Sequence, residues 1–283
     1  MAGPGHYVAF VLLAVASLLL GILGGHRVPK RRAPLLLAPF VLLSVLYAVC
    51  RCLPDWEAAI FPWPFYAFWQ LQWVYLLGLF TLGCGGAALP VRWNRRVVYA
   101  LALAIFAWSL RDARWMLQWP RRGSSDPAGA GRVVQQSTGY TCAPSSCAML
   151  LSTWGIPTSE QEMSRLCLCV PEKGTTDFDV YRGLVLASEG RGLHAKVVRA
   201  GRENLTRLVR PFILLVDAHA FVVVDVRGAE LLVADPLCSR PVTRSIDWAL
   251  RTWNGIAVLL CREGPYDGSD APALGAWLAA APR

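Results

Sequence analysis

Chemistry in this 283-residue chain depends on which side chains can act as nucleophile and which as base. There are four histidines and nine cysteines. His6 and His26 lie at the ends of apolar stretches, which leaves His194 and His219 as candidate bases. The chain contains no HExxH, no GxSxG elbow and no phosphate-binding glycine loop, so metal-assisted hydrolysis, serine hydrolysis and nucleotide chemistry lack their usual signatures. A Cys–His pair is the remaining route to nucleophilic catalysis.

Cys142 is placed where a nucleophile profits. It follows the turn-forming stretch Gln136-Ser-Thr-Gly-Tyr-Thr and opens the apolar run Cys142-Ala-Pro-Ser-Ser-Cys-Ala-Met-Leu-Leu. Pro144 suits a first helical turn, where no amide hydrogen is needed. A sulfur at a helix N-terminus meets the positive end of the helix dipole, which favours the thiolate. Cys147 lies a turn or more inward and reads as an inert buried thiol. His219 begins the strongly β-forming stretch Asp217-Ala-His-Ala-Phe-Val-Val-Val-Asp, and Asp235 ends the next one, Leu231-Leu-Val-Ala-Asp-Pro. Two antiparallel strands turning at Arg227-Gly228 bring the start of one to the end of the other. Asp235 then falls beside His219, where a carboxylate can fix the imidazole tautomer and stabilise imidazolium. Taken singly, a lone cysteine is more often inert and an Asp before Pro is more often a turn former; the pairing raises both. His194 reads as a surface strand residue, and Trp248 and Trp253 as sheet-covering residues.

The elements that must position these groups follow from periodicity. Helical spacing covers 142–154, 159–168 and 176–187, and short β runs cover 195–199, 212–216, 221–226, 231–234 and 256–260. Helices followed by an antiparallel sheet is an α+β order. Residues 123–131 (Gly-Ser-Ser-Asp-Pro-Ala-Gly-Ala-Gly) read as a flexible linker.

The first half has a different texture. Apolar runs at 7–23, 34–50 and 65–82 each approach the length that crosses ~30 Å of hydrocarbon. A fourth, 97–110, spans only about 21 Å at the same rise and needs flanking help, which Trp93, Trp108, Trp115 and Trp119 could supply as interfacial anchors. The net charge of +9 concentrates here: residues 1–130 carry 12 Lys+Arg against 4 Asp+Glu, and residues 131–283 carry 16 against 15. Basic residues therefore punctuate apolar runs, as membrane topology uses them, and no basic stripe remains for nucleic acid. Clusters at Arg27–Arg32 and Arg92–Arg96 predict an inside location for the first and third connections, hence a C-terminal domain on the extracytoplasmic side; Arg111, Arg114, Arg121 and Arg122 pull the other way. No CxxC pair occurs, and Cys167-x-Cys169 lacks a nearby histidine, so neither a structural zinc site nor another cofactor is expected. The further thiols read equally well as buried groups or as disulfide partners in an oxidising compartment.

Gln136, Cys142 six residues on, then His219 and Asp235 sixteen apart, together with Gly174-Thr-Thr and His-x-Phe-Val-Val-Val, resemble the bacteriocin-processing cysteine peptidases that remove double-glycine leader peptides. The resemblance covers about 131–262. It implies a papain-like cysteine peptidase domain; with the apolar runs before it, the expectation is an all-α transmembrane bundle followed by that α+β domain, organised as about four membrane helices in 1–115, 116–131 linker, 132–265 peptidase domain and 266–283 tail. By the same resemblance, the Gln136 side-chain amide and the Cys142 backbone N–H would hold an oxyanion. The family's usual Asp-Cys-Gly reads Thr141-Cys142-Ala143 here, and no Walker-type motif accompanies it. Gly24-Gly25 and Gly85-Gly86 look like double-glycine cleavage sites but fit helix packing better. The expectation is a multi-pass membrane protein whose partners are a peptide or protein substrate, the bilayer and a secretion or transport partner. A catalytically idle domain that binds a leader or partner protein, and an acyltransferase or amidase using the same thioester chemistry, are the rival readings.

Overall fold

The computed structural model describes residues 4–29, 53–60, 72–113, 123–171, 174–208, 210–217 and 219–262, with scattered positions between 32 and 67 and at 279. The chain forms two compact units, one of Met1–Leu53 with Trp69–Trp119 and one of Pro54–Phe68 with Pro120–Arg283.

The first unit is helical. Its described helices are α1 (Pro4–Gly25), α3 (Gln72–Ala88) and α4 (Arg92–Ala113). They meet through small residues. A Cβ on Gly21 would lie 2.2 Å from the Phe80 carbonyl oxygen, one on Gly25 2.3 Å from that of Cys84, and one on Gly83 2.6 Å from that of Leu18. The glycines thus allow backbone-to-backbone approach between α1 and α3. Gly86 makes room in the same way for the Tyr99 ring, so the two glycine pairs sit in helix contacts. Among the described residues one segment, Tyr7–Gly25, is long and apolar enough to cross a membrane. The short fourth apolar run is the central part of the 22-residue helix α4. The second apolar run, 34–50, is described only at scattered positions, and Trp115, Trp119 and nearly all of the tail lie outside the described residues.

The second unit contains α2 (Pro54–Ile60), α5 (Cys142–Thr153), α6 (Glu160–Leu166), α7 (Asp177–Ser188), β1 (Leu193–Arg199), α8 (Arg202–Leu205), β2 (Phe212–Val216), β3 (His219–Arg227), β4 (Glu230–Ala234), β5 (Val242–Ser245), α9 (Ile246–Leu250) and β6 (Trp253–Arg262). Six strands form one sheet in the order β1-β6-β2-β3-β4-β5, with every neighbouring pair antiparallel. Alternation along the strands divides the core in two. Ala220, Val222 and Val224 of β3 face one core, with Ile213, Leu232, Val258 and the helices α5 and α7. Phe221 and Val223 face the other, with Phe212, Leu231, Leu259 and Ala249 of α9. Mixed helix and sheet in the predicted order is what the structure contains. His194 is exposed on β1, and Trp248 and Trp253 pack half-buried against the second core.

Two features depart from the sequence reading. The first concerns the boundary near residue 115: Pro54–Phe68, read as part of the membrane region, belongs to the second unit. Ala58 and Ala67 are buried in its core, the Tyr181 hydroxyl donates to the Ala58 carbonyl at 3.5 Å, and Arg199 grips Asp55 with Nη2–Oδ1 at 3.0 Å. The second concerns the glycine-rich linker, whose C-terminal part is pinned. Ala128 N–H donates to the Thr158 carbonyl at 2.8 Å, and Pro127 bridges Ser159. Composition predicts chain flexibility only where no partner supplies hydrogen bonds.

Candidate active site

The turn before α5 is closed by threonines. Thr141 is buried, its hydroxyl lies 3.0 Å from that of Thr138, and its carbonyl accepts the N–H of Ser145 at 3.1 Å. Cys142 is consequently the first residue of α5, where backbone N–H groups lack intrahelical acceptors. One turn further, the Ser146 hydroxyl donates to the Ala220 carbonyl at 3.1 Å. That buried bond ties the helix to the strand at the residue next to His219, and so sets the spacing of sulfur and ring.

His219 opens β3 directly after a tight hairpin, pairing with Val216. Asp217 takes φ +50°, a conformation that aspartate tolerates in such turns. The β3–β4 hairpin turns at Gly228, φ +61°, with Arg227 opposite Glu230. Ala234 thereby lies beside Val222, and Asp235 reaches the end of β3 where His219 stands. His219 Nε2 and Asp235 Oδ1 are 2.7 Å apart. With Nε2 engaged, Nδ1 is the ring nitrogen left for Cys142, whose side chain hydrogen-bonds the imidazole. Burial by itself lowers the ring's pKa, but the bonds to Asp235 and Cys142 outweigh it and raise it to about 9. Burial works to raise the Asp235 pKa, yet the bond from His219, the Leu237 amide at 2.9 Å and the nearby Arg244 cation hold the carboxyl below its ordinary value. The site therefore favours an imidazolium flanked by carboxylate and sulfur.

Gln136 is brought to the same edge by its backbone: its N–H donates to the Pro236 carbonyl at 3.0 Å, one residue past Asp235. Its side-chain Nε2 donates to the Thr138 carbonyl at 2.8 Å, while Oε1 is buried without a hydrogen-bond partner. An amide nitrogen carries two protons, and one donor of Gln136 is used in holding the turn.

Three supporting residues were missed in the sequence reading. Ser146 carried a signal, a hydroxyl in the middle of an apolar helix. Arg244, whose Nη2 lies 3.7 Å from Asp235 Oδ2, sits on β5, a strand whose Val-Thr-Arg-Ser composition hides it. Glu160 touches the Gln136 turn from α6, a contact between residues 23 apart in sequence.

The other described cysteines are chemically quieter. None of the seven described cysteines is in a disulfide, and Cys147 and Cys167 face each other at 3.8 Å between sulfurs. Burial raises the thiol pKa of Cys167 and of Cys261, and pushes that of Cys169 up to about 12. No group of three or more His, Cys, Asp or Glu arranged to hold a metal occurs among the described residues.

Comparison with known proteins converges on this half of the chain. An uncharacterised protein of Methanothermobacter marburgensis is 34% identical over 128 residues, covering 44% of this chain and 87% of that protein. The peptidase domain of Streptococcus ComA, a bi-functional ABC transporter involved in quorum sensing, superposes with a TM-score of 0.41 at 23% identity, over 47% of this chain and 99% of that domain. A double-glycine-motif protease from an AMS/PCAT transporter, solved with its leader peptide, gives a TM-score of 0.40 at 22% identity, over 49% of this chain and 99% of the protease. The stretch 131–264, which holds Gln136, Cys142, His219 and Asp235, matches the peptidase C39 family, and to that family the chain belongs.

Proposed function

We propose that the protein is a membrane-anchored cysteine endopeptidase that cleaves a peptide or protein substrate with Cys142, His219 and Asp235. One observation carries the reading: a single imidazole is hydrogen-bonded on one side to a buried carboxylate and on the other to a cysteine at a helix start. Likeness to the double-glycine leader peptidases at Gln136, Cys142, His219 and Asp235 supports a leader-type peptide with small residues before the cut as the substrate.

In this mechanism the Cys142 thiolate attacks the scissile carbonyl carbon. The new C–S bond sends the carbonyl π pair onto oxygen. The Gln136 amide and the Cys142 backbone N–H donate to that oxyanion. As the oxyanion collapses, the C–N bond breaks, and the His219 imidazolium gives its proton to the leaving amine. Water then enters, neutral His219 takes a proton from it, and hydroxide attacks the thioester. Loss of the thiolate leaves a carboxyl product and restores the imidazolium–thiolate pair. Asp235 holds the ring in place and stabilises its charged form throughout.

Anchoring rests on Tyr7–Gly25, which is apolar enough to span, and on the outward-facing Leu12, Leu20 and Leu23 of α1, each at least 60% exposed. We assign a multi-pass arrangement of about four helices, with the peptidase unit on the extracytoplasmic side, because basic residues cluster in the first and third connections. Protease accessibility in intact and opened cells tests the side.

The deciding experiment incubates the purified full chain with synthetic peptides carrying double-glycine leaders and reads the products by mass. Cleavage that iodoacetamide blocks, fluorophosphonates spare and Cys142→Ala abolishes supports the reading. Tight peptide binding without cleavage, with Cys142 labelled no faster than the other thiols, would replace it with the idle binding domain.

A further inference from the structure

Beneath the turn that carries Gln136 lies a carboxylate that the proposed chemistry does not use. Glu160 is the first residue of α6 and is fully buried. Its Oε1 accepts the backbone N–H of Ser137 at 2.8 Å and the Ser137 hydroxyl at 3.1 Å, and its Oε2 accepts the backbone N–H of Ser124 at 2.8 Å. The helix does not need this side chain as a cap, because the Ser159 hydroxyl already accepts the Glu162 N–H at 3.1 Å. A carboxylate withdrawn from water is costly and persists only where donors satisfy it. Here both oxygens are satisfied, and two of the three donors belong to the residue next to Gln136.

We infer that Glu160 is a positioning residue for the oxyanion side of the site, holding Ser137 so that the Gln136 amide points at the reacting carbonyl. This rests on the peptidase reading above. Gln136 itself is tied by its N–H to Pro236 and its amide to Thr138. Glu160 adds a hold on the adjoining residue, Ser137. The chemistry explains why a carboxylate serves: two acceptor oxygens can take backbone donors from separate segments at once. A glutamine there would turn an –NH2 toward one of the two N–H groups and leave it unsatisfied.

Hydrolysis of a leader peptide by the full chain tests the assignment. Glu160→Gln should lower kcat about tenfold, a fraction of the 10²–10³-fold loss that follows removal of an oxyanion donor, with KM within about twofold. Alkylation of Cys142 by iodoacetamide, which develops no oxyanion, should keep its rate. Inhibition by a peptide aldehyde, whose adduct carries the oxyanion, should weaken by the same factor as kcat. In a Gln136→Ala background, Glu160→Gln should cost nothing further, since its effect passes through that amide. Ser137→Ala, an exposed change that spares the fold, should lower kcat about threefold in the same pattern. Equal losses with and without Gln136, or alkylation slowed in step with kcat, would reduce Glu160 to general support of the fold. Unchanged kcat in both Glu160→Gln and Ser137→Ala would also overturn the assignment. Absence of turnover by the unaltered protein would overturn the peptidase reading itself, and this assignment with it.

Discussion

The two units solve the same problem, burying an α-helix, in opposite ways. In the helical unit many large aliphatic side chains point outward: Leu12, Leu20, Leu23 and Leu103 are each at least 60% exposed, while Phe10, Leu79 and Leu82 fill a small interior and Gly21, Gly25 and Gly83 bring backbones together. In the mixed unit, beyond residue 120, Leu237 is the only large hydrophobic among the described residues that is strongly exposed, and aliphatics from α5, α7 and both sheet faces fill the interior. The proposed membrane anchoring accounts for the difference. In water, apolar surface is driven inward. In lipid that drive vanishes, and close backbone approach decides which helices meet. The segment Pro54–Phe68 is intermediate, with Ala58 and Ala67 buried and Trp56 and Trp63 exposed.

The comparison can be broken by changes that should act in one unit only. Asp235→Asn should have the largest effect, lowering kcat/KM by roughly 10²–10⁴-fold in peptide hydrolysis. The alkaline limb of the pH profile, expected near the His219 value of about 9, should move down because the carboxylate no longer supports the imidazolium. The same pair sets a pH window for stability. His219 is raised in the folded state, so its contribution is complete below 6.5 and is lost as pH rises toward about 9. Asp235 is lowered, so its contribution is complete above 3.8 and is lost as pH falls further. Denaturant unfolding at stepped pH should show both flanks, and Asp235→Asn should flatten them.

Leu150→Ala comes next. It empties a fully buried position in the first core of the mixed unit and should cost about 2–5 kcal/mol, read by thermal unfolding of that unit. Gly21→Leu should cost about 1–3 kcal/mol by driving α1 from the Phe80 backbone. Its readout is loss of cross-linking between cysteines introduced on α1 and α3 in detergent, with kcat unaltered; a parallel fall in kcat would show that the units are not independent. The smallest effect belongs to Arg199→Ala. It removes a half-exposed partner of Asp55 and should change unfolding by at most about 1 kcal/mol.

What could be read beforehand follows the reach of each interaction. The helix opening at Cys142 and the hairpin joining His219 to Asp235 are local, so periodicity and turn chemistry suffice to place them. β5 escaped because its side chains alternate between exposed and half-buried and carry one aliphatic residue. Glu160 and the pinned linker escaped because polar contacts spanning 23 and 36 residues leave no period in the sequence. The membership of Pro54–Phe68 escaped for the same reason: its ion pair joins residues 144 apart, and its alanines look like any short helix.

That discontinuity has a topological consequence. Pro54–Phe68 and Pro120–Arg283 complete a single folded body, and parts of one body cannot occupy opposite compartments. Under the proposed anchoring, the intervening Trp69–Trp119 must leave and return through the same face of the bilayer, making an even number of passages. Under that arrangement α3 and α4 cross as a pair or not at all, so the short fourth apolar run shares the fate of the third.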